Sequence, residues 1–267
     1  MLDLKYKEKE GEFVNGWMAL QPLVLAAETT KAADKSNELD LGINGFHQYH
    51  LFGQELYITN THIAIFIVML TLIIFSVIAN RVIKKADPTK APGAFLNFIE
   101  LIVESVDNLT NSSMGEKHGY KFSNYIGTLF AYIFLSNISG LFGLRPPTAD
   151  YGTTLSLALI TFFLIHYNGF KYQKIGHITA LFKPVILTPI NIIGEIATPI
   201  SLSLRLFGNV MSGTLMMALV YGLLPKLLTL AWPAFLHAYF DVFSGAIQSY
   251  VFCMLTMVFI SDTFGEE

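Results

Sequence analysis

Residues 189–224 read PINIIGEIATPISLSLRLFGNVMSGTLMMALVYGLL, and Glu195 and Arg205 are the only charged side chains in the run. As one helix at 1.5 Å per residue it would be about 50 Å long. A bilayer hydrocarbon core is about 30 Å thick, so the run is too long to stand upright in a membrane. Fitting it requires a tilt on the order of 50°, against a usual tilt of about 20°, or a break at Gly208 or Gly213. Residues 232–264 form a second apolar run of similar length, with Pro225 and Lys226 marking the turn between the two. The reading is a pair of long, strongly tilted transmembrane helices.

Composition agrees. Of 267 residues 53% are hydrophobic and 14% charged, with a mean hydropathy of +0.51. A soluble domain carries about 25% charged residues, so an ordinary water-soluble enzyme is excluded. The net charge of −3 and the lack of a dense basic patch leave no footprint for nucleic acid. Cys253 is the single cysteine; it cannot pair internally, and its apolar surroundings make it a small buried hydrophobe.

Working toward the N-terminus, three further runs are long and apolar enough to span: residues 152–167, 125–144 and 63–80. The second ends at Arg145-Pro146-Pro147, where two prolines forbid helix continuation. Between the first and second spans, residues 94–110 place Phe95, Phe98, Ile99, Leu101, Ile102 and Val106 on one side and Asn97, Glu100, Glu104 and Asp107 on another. That period is an amphipathic helix lying on the membrane surface. The fold class is therefore an all-α multi-pass membrane protein, with five spans, one surface helix and the last two helices long and tilted.

Residues 59–267 form the membrane domain and residues 1–58 an extramembrane and interfacial segment. The first fifteen residues mix Lys5, Lys7 and Lys9 with Glu8, Glu10 and Glu12, without the net positive start of a cleaved secretory signal, so Trp17–Ala27 reads as interfacial. Cations in short loops mark the cytoplasmic side. Arg81, Lys84, Lys85, Lys90, Lys117, Lys121, Lys171, Lys174 and Lys183 fall on one side, with Arg145 and Lys226 on the other. The N-terminus is then outside and the C-terminus in the cytoplasm, in the plasma (inner) membrane of a cell.

Polar side chains within the apolar runs carry the function. A mid-bilayer arginine costs about 2.5–3.5 kcal/mol even on the lenient insertion scale, so Arg205 should face protein or water. Glu195, ten residues earlier, points about 80° away from it and lies roughly 15 Å along the axis, so the two share a wall without forming a direct ion pair. Asn191 and Glu195 are spaced i, i+4, as are Ser201, Arg205 and Asn209. On the last helix His237, Asp241, Ser244 and Gln248 are spaced 4, 3 and 4 and share a face. With the orientation above, Glu195 opens inward and His237 and Asp241 open outward, separated by the fixed charge of Arg205. Two offset polar wells follow, and an ion crossing between them would need a mobile negative carrier.

The segment PINIIGEIATPISLSLRLFGNVMSG (residues 189–213), with AIQSYVFCMLTMVFIS (residues 246–261), resembles the a-subunit family of the F-type ATP synthase membrane sector. The resemblance runs from about Gly45 to the C-terminus, with FHQYHLFG (residues 46–53) as a weaker element. It implies a stator subunit with two half-channels carrying H+ or Na+ to and from the carboxylates of a c-subunit ring. Arg205 resembles the arginine that forces ion release and blocks leakage, Asn209 and Gln248 its polar partners, and Glu195 the acid of the inner well. The implied partners are the c ring, peripheral-stalk b subunits and the lipid bilayer. No cofactor or metal is implied.

Two positions depart from the family pattern: Thr214 stands where many members carry Glu, and Asp241 where many carry His. The outer well thus keeps an acid but moves it to the other helix.

Two other functions compete. A free-standing cation transporter gated by Arg205, Glu195 and Asp241 would be expected to show paired repeats and two interrupted helices, which the sequence lacks. An intramembrane hydrolase built on Ser212 and His237 would need a GxSxG or HExxH motif, also absent. Without a GxxxxGK[ST] loop, the chain is read as a non-catalytic subunit, with ATP chemistry on partner chains.

Overall fold

The computed structural model describes residues 45–51, 54–86, 93–176, 179, 182, 185–223 and 232–264. The chain divides into Met1–Gly42, outside the described residues, and Ile43–Glu267. The expectations for Trp17–Ala27 and for the turn at Pro225 and Lys226 also fall outside.

The described chain opens with a small antiparallel hairpin, β1 (Gly45–Leu51) and β2 (Gln54–Thr59), with Leu51 paired to Gln54 and His47 to Ile58. The hairpin falls at the end of the polar lead-in and adds two short strands to a fold expected to be all-α. Among the described residues every regular element after it is helical, and five helices are long and apolar enough to cross a membrane.

α1 (Asn60–Lys85) starts where the Thr59 hydroxyl meets His62 Nδ1 at 2.8 Å and ends on Lys84 and Lys85, cations that complement the negative C-terminal end of the helix dipole. It buries only Thr61, Ala64, Val68 and Ala79. Phe66, Ile73, Ile74 and their neighbours stay exposed, as expected for a helix whose solvent is lipid.

α2 (Ala94–Met114) is the amphipathic helix, four residues longer than the sequence reading had it. Gly115 turns the chain at φ +76° straight into α3 (Glu116–Ile138), making a tight helical hairpin. A Cβ on Gly119 would lie 2.7 Å from the Cα of Asn111, so glycine sets how closely α2 and α3 approach. Ser123 Oγ donates to the Asp107 carboxylate across the pair. Part of the polar face of α2 therefore binds its neighbour, while Asn97, Glu100 and Glu104 remain exposed.

The second span begins at Glu116 rather than residue 125, and runs through a 3₁₀ turn, Ser139–Phe142. The charged first turns had masked it, because a helix continues past the apolar boundary wherever its backbone bonds are satisfied. α4 (Tyr151–Tyr172) likewise outruns its apolar stretch; its first turn is capped by Asp150, which accepts from the Gly152 N–H at 3.0 Å.

α5 (Thr188–Leu223) is a single 36-residue helix through Gly208 and Gly213, so the break considered for either glycine does not occur. Pro199 lies inside it; lacking an N–H, it leaves the Glu195 carbonyl without its helical donor.

The last run is a continuous helix whose register widens part-way. α6 (Trp232–His237) passes into a seven-residue π-helical segment, Ala238–Ser244, and then into α7 (Gly245–Ser261). The core lies where α3, α4, α5 and α7 meet, around Ile126, Leu129, Ile133, Ala158, Ile165, Leu202, Leu206, Phe252, Met257 and Ile260, with Cys253 fully buried among them.

Candidate ion-translocation site

Arg205 sits near the middle of α5 and is exposed, while its neighbours Leu202, Ser203 and Leu206 are buried. It closes one end of a cavity of ≈180 Å³ that climbs α5 turn by turn through Gly194, Thr198 and Ser201, with Leu255 and Phe259 of α7 opposite. Thr198 Oγ1 is turned back to the Gly194 carbonyl at 3.0 Å. Along the same helix Ile193, Ile196, Ile200 and Leu204 are exposed, as are Met216 and Leu219 further on. At about 100° per residue the first four lie roughly 100–180° round the helix from Arg205, whose own side carries the small and polar Gly194, Thr198, Ser201, Asn209 and Ser212 and then Met216 and Leu219.

Two acid–histidine pairs flank it along the chain. On the side of the α5 N-terminus, Glu195 Oε1 lies 3.2 Å from His166 Nε2 of α4, and both side chains are partly exposed. Asn191, one turn before Glu195, is half-buried. On the other side, Asp241 Oδ2 lies 2.6 Å from His237 Nδ1, and His237 Nε2 meets the Tyr221 hydroxyl at 3.2 Å. With Asp241 ionised, Nδ1–H donates to the carboxylate and Nε2 accepts from the Tyr221 O–H. Neither pair includes Arg205.

Between Arg205 and the second pair, Ser244 Oγ donates to Asn209 Oδ1 at 2.8 Å, tying the π-helical segment to α5. The same segment lays Phe240 against Gly213, where a Cβ would come within 3.4 Å of the ring-bearing carbon, and Asp241 against Gly140, at 3.4 Å from Oδ2. Its end is held from α3: Asn137 Nδ2 donates to the Gly245 carbonyl at 3.1 Å, and Asn137 Oδ1 accepts from Thr148 at 2.7 Å. Segments of this kind recur at functional sites. Here the wide turn carries His237, Asp241 and Ser244 toward α5, while Gln248 is buried deeper, its Nε2 meeting no hydrogen-bond partner among the described residues.

The structure thus joins His237 to Asp241 and Ser244 to Asn209, and places Ser201 with Arg205 in one cavity. The 4-3-4 stripe does not run as one uniform face, because the π turn interrupts its period between His237 and Gln248. Thr214 spends its hydroxyl on the Val210 carbonyl at 3.0 Å. His166 and Tyr221 were missed by sequence reasoning: each meets its partner across two helices, where no spacing along one helix reveals it.

The family model described as ATP synthase A chain matches residues 62–261. The ATP synthase subunit a of Propionigenium modestum, named as sodium ion specific, is 39% identical over 187 residues, covering 63% of this chain and 63% of that protein. The match therefore spans just under two thirds of that relative. The subunit a of Priestia megaterium is 39% identical over 64% of this chain and 78% of its own length; subunit a 3 of Pelobacter propionicus is 35% identical over 75% and 85%. With five membrane-length helices, an exposed arginine in the fourth and a family match over most of its length, this chain belongs to the ATP synthase A chain family.

Proposed function

We propose that the chain is the stator subunit of a rotary F-type ATP synthase, facing a c-subunit ring through α5 and carrying ions along two offset half-channels. The observation that carries this reading is Arg205, an exposed guanidinium near the middle of a membrane-length helix, between two acid–histidine pairs along the chain. A guanidinium does not deprotonate in a protein. A ring carboxylate approaching it must give up its ion to meet the positive charge, and a free cation is repelled, so passive leakage between the wells is blocked.

The inner half-channel comprises Asn191, Glu195 with His166, and the cavity past Ser201 to Arg205. The outer one comprises Tyr221, His237, Asp241, Ser244 and Asn209, with Gln248 behind them. The cation asymmetry of the loops supports the N-terminus outside and the C-terminus in the cytoplasm. Peripheral-stalk b subunits and lipid would meet the remaining apolar surface, including that of α1. The transported ion is H+ or Na+, selected chiefly at the ring carboxylate on another chain; the sodium-specific name of the Propionigenium relative makes Na+ a direct subject of the test.

ATP-driven pumping in inverted vesicles carrying the assembled complex tests the reading. Arg205→Ala abolishes pumping while ATP hydrolysis capacity remains. Stimulation by Na+ that persists with a protonophore identifies Na+; its absence identifies H+. Unchanged pumping in Arg205→Ala would make the arginine structural and favour a free-standing transporter.

A further inference from the structure

Asn137 and Thr148 belong to neither half-channel, yet they form a buried hydrogen-bonded pair against the turn that carries Asp241, at 3% and 0% exposure. Asn137 Nδ2 donates to the Gly245 carbonyl at 3.1 Å and reaches the Ser249 hydroxyl at 3.4 Å, and its Oδ1 accepts from Thr148 Oγ1 at 2.7 Å. A carbonyl only accepts, so the amide nitrogen must face Gly245 and the amide oxygen needs a donor on its other side. Thr148 is that donor. Without its hydroxyl, Oδ1 would lose a partner in a buried site, which is costly, and a flipped amide would set oxygen against the Gly245 oxygen.

Two glycines make the contact close. A Cβ on Gly245 would lie 2.9 Å from Asn137 Cβ. One turn beyond Asn137, a Cβ on Gly140 would lie 3.4 Å from Asp241 Oδ2 and 3.3 Å from Pro146 Cγ. The end of α3 and the double-proline turn, whose 3₁₀ segment Pro147–Ala149 places Thr148, therefore make one bed under residues 241–245. Asn137 pins one end of that stretch, and the carboxylate stands over Gly140 at the other.

We infer that Thr148, acting through Asn137, is a positioning residue for Asp241. The pair fixes the end of the π-helical segment, and with it the place where the Asp241 carboxylate meets His237. Its effect on pumping rests on the proposed stator function; its effect on where Asp241 stands does not.

The test compares Thr148→Val, which keeps the shape and removes the hydroxyl, with Thr148→Ser, which keeps the hydroxyl. In inverted vesicles with the assembled complex, Thr148→Val is expected to slow ATP-driven pumping at least about threefold per incorporated subunit, the scale of one lost hydrogen bond. Thr148→Ser should pump at the wild-type rate. The second readout is independent of activity: each variant is combined with Asp241→Cys, and the rate of labelling by a small thiol reagent is measured in the detergent-solubilised complex. Thr148→Val should change that rate at least about threefold, Thr148→Ser should leave it alone, and Glu195→Cys, on the far side of Arg205, should label equally in all three. Unchanged labelling of Asp241→Cys in Thr148→Val would overturn the inference. So would an equal change at Glu195→Cys, which is general loosening, or an equal effect of Thr148→Ser. If Thr148→Val does not assemble, Asn137→Ser, too short to hold both partners, is read in the same way. Arg205→Ala is run in parallel: pumping retained there sinks the stator function while the labelling still decides the role of Thr148. Pumping lost there with unchanged labelling sinks only that role.

Discussion

At the scale of single residues, the chain uses glycine to bring chemistry close. A Cβ on Gly245 would lie 2.9 Å from Asn137 Cβ, against a backbone position that Asn137 holds through the Gly245 carbonyl. Gly245→Ala is expected to destabilise the subunit by about 1–3 kcal/mol, the usual cost of forcing extra atoms into a packed core. The measurement is the temperature at which the detergent-solubilised complex loses this subunit; an unchanged temperature would mean that α3 and α7 part without cost. The charged residues of the site were legible in the sequence because charges in apolar runs stand out. Glu195, Arg205 and Asp241 could be found that way, and so could the i, i+4 contact of His237 with Asp241. His166 could not: it stands at the end of an apolar run where a histidine is unremarkable by type, and its partner comes from another helix.

At the scale of elements, composition located the spans but not their ends. Apolar counting finds where lipid begins, and α3 and α4 continue past that point on polar turns. The π segment was illegible for a related reason. A 4-3-4 spacing reads as an α-helical face, and the wider turn lies in the i→i+5 backbone bonding of Ala238–Ser244, which side-chain spacing does not carry. The hinge between α2 and α3 gives a clean test. Gly115 sits at φ +76°, ψ 152° with nothing within 4 Å of a would-be Cβ, whereas Gly93 is equally open at an ordinary φ of −67°. Gly115→Ala should therefore cost about 1–3 kcal/mol from backbone strain alone, with Gly93→Ala close to neutral. Thermal denaturation of the two variants side by side checks this, and equal stabilities would contradict it. Pro199 supplies a second test at this scale: Pro199→Ala restores a donor to the Glu195 carbonyl, and is expected to slow pumping without loss of assembly. Wild-type pumping would show that the free carbonyl is dispensable.

At the scale of the whole molecule, the side of α5 that carries Arg205 stays open among the described residues: Met216 and Leu219, within about 40° of Arg205 round the helix, are each 48% exposed. If this face meets a ring of other subunits, a cysteine at Met216 or Leu219 should react with a thiol reagent in the isolated subunit and be protected in the assembled complex. Cys253 is fully buried, so its background labelling should be low. Equal labelling in both states would place the ring elsewhere.

The exposed Arg205 also bears on biogenesis. Outside an assembly, this guanidinium would face hydrocarbon at a cost of about 2.5–3.5 kcal/mol. At about 1.4 kcal/mol per factor of ten, that is roughly a hundredfold bias against the orphan subunit and toward any partner offering water or a carboxylate. The residue proposed to prevent ion leakage would then also mark an unassembled chain as incomplete, making a lone subunit the preferred target of membrane quality control.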